Sequence, residues 1–97
     1  GKPQVTVAAA GDLKGKKITV KDGDKKVGDG KLKDEGGACT VTIELKQKKD
    51  QPLGTLTILL EDDELTKLTL PEPGNQTLVF QPSRLKALVV VSARPSP

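Results

Sequence analysis

Aspartate recurs between Asp22 and Gly30, and a calcium loop needs carboxylate oxygens at alternate positions. An EF-hand loop has glycine at its sixth position and glutamate at its twelfth, and here the loop would start at Asp22. Those positions hold Val27 and Lys33, and the lysines between the aspartates would repel a cation. Asp-Gly pairs are typical of tight turns. We therefore predict turns and no metal site, with calcium binding as the less favoured alternative.

The other groups that could bind a ligand or react are a run of carboxylates from Glu61 to Glu64 and the single Cys39. The acidic run is typical of a solvated loop or a helical turn. A metal site, a basic partner and glycoside hydrolysis are the alternatives for it. A thiol nucleophile needs a base or a cation beside it, and the chain contains no histidine. We expect Cys39 to be a buried apolar residue and the protein to have no catalytic residues.

Composition narrows the function further. The chain has 97 residues, 16 Lys and Arg against 13 Asp and Glu, and a net charge of +3. Tryptophan and tyrosine are absent, and Phe80 is the only aromatic residue, so bases and sugars have no stacking platform. The only arginines are Arg84 and Arg94, which is unlike a nucleic-acid-binding protein. We predict one domain over 1–97, no cofactor and no nucleic-acid partner.

Lysine is concentrated in the first half of the chain. If strands near 16–21 and 25–33 are neighbours, their outward lysines share one face of a sheet. Such a face could bind an anionic ligand such as a lipid headgroup; its candidate residues are Lys21, Lys25, Lys26, Lys31 and Lys33. Aspartates are interleaved with these lysines, so a solvated surface is the favoured alternative.

Short runs of alternating apolar and polar residues are separated by glycine and proline, which favours strands over helices. The clearest run places Cys39, Val41, Ile43 and Leu45 at every second position. Asp22-Gly23 predicts a hairpin turn, Gly28-Asp29-Gly30 a second turn, and Leu32 an apolar anchor. The predicted strands cover 4–9, 16–21, 25–27, 38–46, 54–60, 65–70, 77–80 and 85–92.

Seven to eight short strands at this spacing predict an all-β fold, an antiparallel β-sandwich of the immunoglobulin-like kind. Residues 1–3 and 93–97 are predicted to be linker stubs of a fragment from a multidomain protein. The tryptophan, paired cysteines and corner tyrosine of antibody-type domains are missing.

The stretch Thr40 to Leu60 resembles the later strands of C2 domains. It contains Val41-Thr42-Ile43-Glu44-Leu45, a lysine-rich loop and a Leu53-Gly54 pair that opens the next strand. This resemblance covers roughly a fifth of the chain and implies a peripheral membrane module. The aspartate cluster that holds calcium in that family has no counterpart, because Asp50 stands alone. The implied membrane binding is therefore calcium-independent.

Together these features predict a non-catalytic β-sandwich module, an accessory domain that acts as a structural spacer or a protein-interaction domain. Its expected partner is another protein or a neighbouring domain of the same chain. The alternative is a calcium-independent, C2-like module that binds anionic lipid through its lysines.

Asn75-Gln76-Thr77 matches a glycosylation sequon. The sequence predicts neither the compartment nor the oligomeric state.

Overall fold

Two antiparallel sheets pack face to face in the computed structural model, which describes residues 2–47, 53–69, 76–80 and 88–94. The predicted antiparallel β-sandwich is confirmed. A 3₁₀ turn at Gly11–Leu13 follows the first strand. The strands are β1 (Gln4–Ala10), β2 (Lys17–Asp22), β3 (Lys25–Lys31), β4 (Lys33–Glu35), β5 (Ala38–Glu44), β6 (Thr55–Leu60), β7 (Asp63–Thr69), β8 (Gln76–Phe80) and β9 (Val89–Arg94).

The strand order is β4-β5-β1-β9-β8 in the five-stranded sheet and β3-β2-β6-β7 in the four-stranded sheet. Strands β3 and β4 are separated only by Leu32, so one bent strand passes from one sheet to the other. In immunoglobulin constant domains the first strand lies at a sheet edge. Here β1 is central, between β5 and β9. The sandwich architecture therefore agrees with the prediction, while the strand order is different from that of antibody domains.

The core forms because alternate residues of each strand are apolar and point between the sheets. In β1 these residues are Val5, Val7 and Ala9, and Val7 pairs with Val41 on one side and Val91 on the other. The opposite layer contributes alternating residues of β2 and β6. In the described part of the chain, no polar or charged side chain is buried. Apolar contact between the layers is therefore what holds the sandwich together.

Strand β3 of one sheet passes close to β5 of the other, and two glycines allow this approach. A Cβ at Gly28 would lie 2.6 Å from Cγ2 of Ile43, and one at Gly30 would lie 2.8 Å from Cγ2 of Val41. Both distances are shorter than a carbon–carbon contact. The prediction of a turn at Gly28-Asp29-Gly30 is therefore wrong, because these residues lie inside β3 and the glycines face the core.

Three further boundaries differ from the sequence predictions. Residues 61–64 were expected to form a solvated loop or a helical turn, and they form a hairpin: β6 ends at Leu60, β7 begins at Asp63, and Glu61 has a positive φ of 53°. Strand β9 continues through Arg94 with Ala93 fully buried, so the predicted linker stub cannot begin at residue 93. The predicted linker stub over residues 1–3 also differs at its end: Pro3 is buried, and its carbonyl accepts a hydrogen bond from the Leu45 amide at 2.9 Å.

Candidate ligand-binding face

The β2–β3 hairpin determines which lysines share a face. Residues paired across antiparallel strands point to the same side of the sheet. Ile18 pairs with Gly30 and Val20 with Gly28, and these four positions face the core. The intervening pair, Thr19 and Asp29, therefore faces outward, and so does the pair of Lys17 and Lys31.

A β-bulge in β3 brings a further lysine outward. The register shifts after Val20, so that Lys21 pairs with Lys26 and Val27 is the extra residue. Val27 is buried, whereas Lys26 is exposed. Without the bulge, Val27 would lie opposite Lys21 on the outer side of the sheet. The bulge thus buries an apolar residue and places two lysines directly opposite each other.

The outer side continues across β6 and β7. Lys21 pairs with Thr57, and Thr57 pairs with Lys67, so three strands place these side chains in one row. The neighbouring row contains Thr19, Leu59 and Glu64. We call the outer side of the four-stranded sheet the lysine face; its charged residues are Lys17, Lys21, Lys26, Asp29, Lys31, Glu64 and Lys67.

Three of the five candidate lysines, Lys21, Lys26 and Lys31, lie on the lysine face. Lys25 pairs with Asp22 beside the Gly23–Asp24 turn, at a position of opposite alternation. Lys33 belongs to β4 and pairs with Thr40 on the five-stranded sheet. The structure therefore brings three of the candidates together and separates the other two from them.

Sequence reasoning missed two lysines of this face. Lys17 was not among the candidates although it lies in the same hairpin, and its alternation with Ile18 is a signal that could have included it. Lys67 reaches the face through the β6–β7 hairpin and through the pairing of β6 with β2, and the second pairing links distant parts of the chain. No local pattern predicts such a pairing.

Asp29 is the centre of the electrostatics on the hairpin. Its Oδ2 lies 3.3 Å from Nζ of Lys26 and 3.4 Å from Nζ of Lys17. Hydrogen bonds from Lys26 and Lys17 lower the pKa of the Asp29 carboxyl below its ordinary value of 3.8. A longer pair joins Lys67 and Glu64 at 3.9 Å. Among the described residues, Lys21 and Lys31 have no ion-pair partner.

The cysteine and the aspartates that could react or bind a metal do not form a site together with the lysine face. Cys39 is fully buried on β5, as predicted. Asp22, Asp24 and Asp29 do not converge, and no group of His, Cys, Asp or Glu with metal-binding geometry occurs among the described residues. None of these residues forms a helix that could cross a bilayer. Asn75 and the lysines at 48–49 lie outside the described residues.

No family model, curated protein or solved structure matches this chain.

Proposed function

We propose that this protein is a non-catalytic, calcium-independent module that binds anionic bilayer surfaces through the lysine face. One observation carries the proposal: lysines from β2, β3 and β7 lie on one side of the four-stranded sheet, where two carboxylates accompany them among the described, strand-paired residues. An ammonium group near an anionic bilayer contributes about 1 kcal/mol of attraction. Because these contributions add, several lysines on one side of a sheet favour a partner with an extended anionic surface.

The residue types on this face favour a bilayer over a protein as the partner. Lysine is depleted in the centres of protein–protein interfaces, where aromatic residues and arginine are enriched. The lysine face presents lysine and threonine, and Leu59 is its only large apolar residue within the described part of the sheet. The resemblance of Thr40 to Leu60 to C2 domains points in the same direction.

Vesicle co-sedimentation tests the proposal. We expect the protein to bind vesicles that contain about 30% phosphatidylserine at about 0.15 M salt, with EDTA present, and not to bind neutral phosphatidylcholine vesicles. The double variant Lys21→Glu, Lys31→Glu reverses the two lysines that have no ion-pair partner among the described residues. It should weaken binding more than about tenfold.

A charge-matched control is Lys2→Glu, Lys33→Glu, since both residues are exposed and neither lies on the four-stranded sheet. This control should retain most of the binding. Equal losses in the two double variants would show that net charge, and not the lysine face, governs binding. Absence of binding by the unmodified protein would contradict the proposal outright.

A structural spacer or protein-interaction domain of a larger protein is the second candidate, and the opposite side of the sandwich favours it. The central positions on the outer side of the five-stranded sheet hold small uncharged residues, and we call this outer side the threonine face; the central residues are Thr6, Ala8, Thr40, Thr42, Val90 and Ser92. Surfaces without charge at their centre are typical of protein interfaces. A neighbouring domain or protein partner would then slow hydrogen exchange in β1 and β5. Unchanged exchange in the longer protein would exclude that contact.

A further inference from the structure

The β2–β3 hairpin places like charges opposite each other twice. Lys17 faces Lys31 and Lys21 faces Lys26 in the register of the two strands. Side chains at directly opposite positions have Cβ atoms only about 4.5–5.5 Å apart, and like charges there are destabilising. Opposite charges at such positions would stabilise the sheet instead. The hairpin therefore concentrates positive charge at a cost in stability.

Asp29 lies between the two lysine pairs and contacts one member of each. Its carboxylate bridges Lys17 from the first pair and Lys26 from the second, at 3.4 and 3.3 Å. Its own cross-strand partner is Thr19, which carries no charge. Within residues 17–31, Asp29 is thus the single carboxylate on the outer side of the hairpin, which also holds four lysines.

We propose that Asp29 acts as an internal counterion that competes with anionic lipid headgroups for Lys17 and Lys26. This inference rests on the proposed membrane-binding function and adds its regulation. When the protein is free, Asp29 neutralises part of the hairpin and relieves repulsion between the lysine pairs. At an anionic bilayer, lipid phosphates and carboxylates replace Asp29 as partners of these ammonium groups.

Competition of this kind sets a threshold for the density of anionic lipid. A single headgroup does not displace an intramolecular partner, because that partner is already held beside the lysines. A surface that contacts Lys21 and Lys31 at the same time brings further headgroups next to Lys17 and Lys26. Binding should therefore rise steeply with the fraction of anionic lipid, and the protein should not bind weakly charged membranes.

Asp29→Asn tests the inference, because asparagine has a similar shape and no charge. Glu35→Gln is the matched control: it changes the net charge equally, and Glu35 is exposed on β4 of the other sheet. Freeing two lysines should tighten vesicle binding by about tenfold or more and lower the phosphatidylserine fraction needed for half-maximal binding. Glu35→Gln should change both quantities little.

The outcomes separate this inference from the function on which it rests. If the unmodified protein binds anionic vesicles and Asp29→Asn binds no better than Glu35→Gln, Asp29 is not a competing counterion, and the proposed function stands. If neither the unmodified protein nor Asp29→Asn binds, the proposed function fails. Tighter binding of Asp29→Asn to soluble inositol hexakisphosphate but not to vesicles would also overturn the inference, since the competitor would then not be a bilayer.

Discussion

The two outer faces of the sandwich are built by the same alternation of residues and have opposite chemical character. The inward positions of both sheets are aliphatic, as in Val5 and Val7 of β1 and Ile18 and Val20 of β2. The outward positions differ: the threonine face is uncharged at its centre, and most of the charged groups on the lysine face are ammonium ions. Because packing between the sheets constrains only the inward positions, it does not determine this contrast.

Pairing across the sheets shows the same contrast. On the threonine face, Thr6 and Thr42 lie directly opposite each other and their hydroxyl groups are 3.1 Å apart, within hydrogen-bond distance. On the lysine face, Lys21 and Lys26 occupy the equivalent directly opposed positions and repel each other. One face is therefore arranged for local stability, and the other retains unfavourable pairs that an external anion would relieve.

The largest expected effect comes from breaking the contact that supports the lysine-bearing hairpin. Gly28→Ala should lower the free energy of unfolding by about 1–3 kcal/mol, because its Cβ would clash with Ile43 and overpack the space between the sheets. Chemical denaturation measures this change. Gly54→Ala is the control, since a Cβ there meets only Oδ1 of Asp22 at 3.4 Å. Equal effects at both glycines would mean that the β3–β5 contact is not tightly packed.

A smaller effect is expected on the pH dependence of stability, which should change with substitutions on the lysine face and not with those on the threonine face. Since the pKa of Asp29 is lowered in the folded protein, its ion pairs contribute stability above the ordinary pKa of 3.8, and this stability is lost as the pH falls through the folded value. Asp29→Asn should therefore reduce the dependence of the melting temperature on pH in the acidic range. Thr42→Val, on the other face, should leave that dependence unchanged. An unaltered acid profile in Asp29→Asn would show that these surface pairs add no stability.

Much of the fold could be predicted from local alternation. The inward positions of β1, β5 and β6 follow from apolar residues at every second position, and Cys39, Leu56 and Ile58 are buried as expected. The extent of β3 could not be predicted. A glycine that avoids a clash with Ile43 has the same local appearance as a glycine in a turn, and only the position of β5 distinguishes them.

The lysine face was predictable only in part, for two physical reasons. The bulge at Val27 reverses the alternation within β3, so counting by twos does not show that Lys26 lies opposite Lys21. Lys67 joins the face through β7, whose position next to β6 depends on a hairpin at Glu61 and Asp62 that the acidic sequence does not suggest. Lys33 lies apart from the lysine face because the chain crosses to the other sheet at Leu32.

Orientation on a bilayer tests the central claim most directly. A fluorophore attached to the new thiol of Thr57→Cys, on the lysine face, can be compared with one attached to Thr42→Cys, on the threonine face, in the presence of vesicles with spin-labelled anionic lipid. Lipid should quench the probe at position 57 and leave the probe at position 42 unaffected. Stronger quenching at position 42, or equal quenching at both positions, would contradict the assignment of the lysine face as the membrane-binding surface.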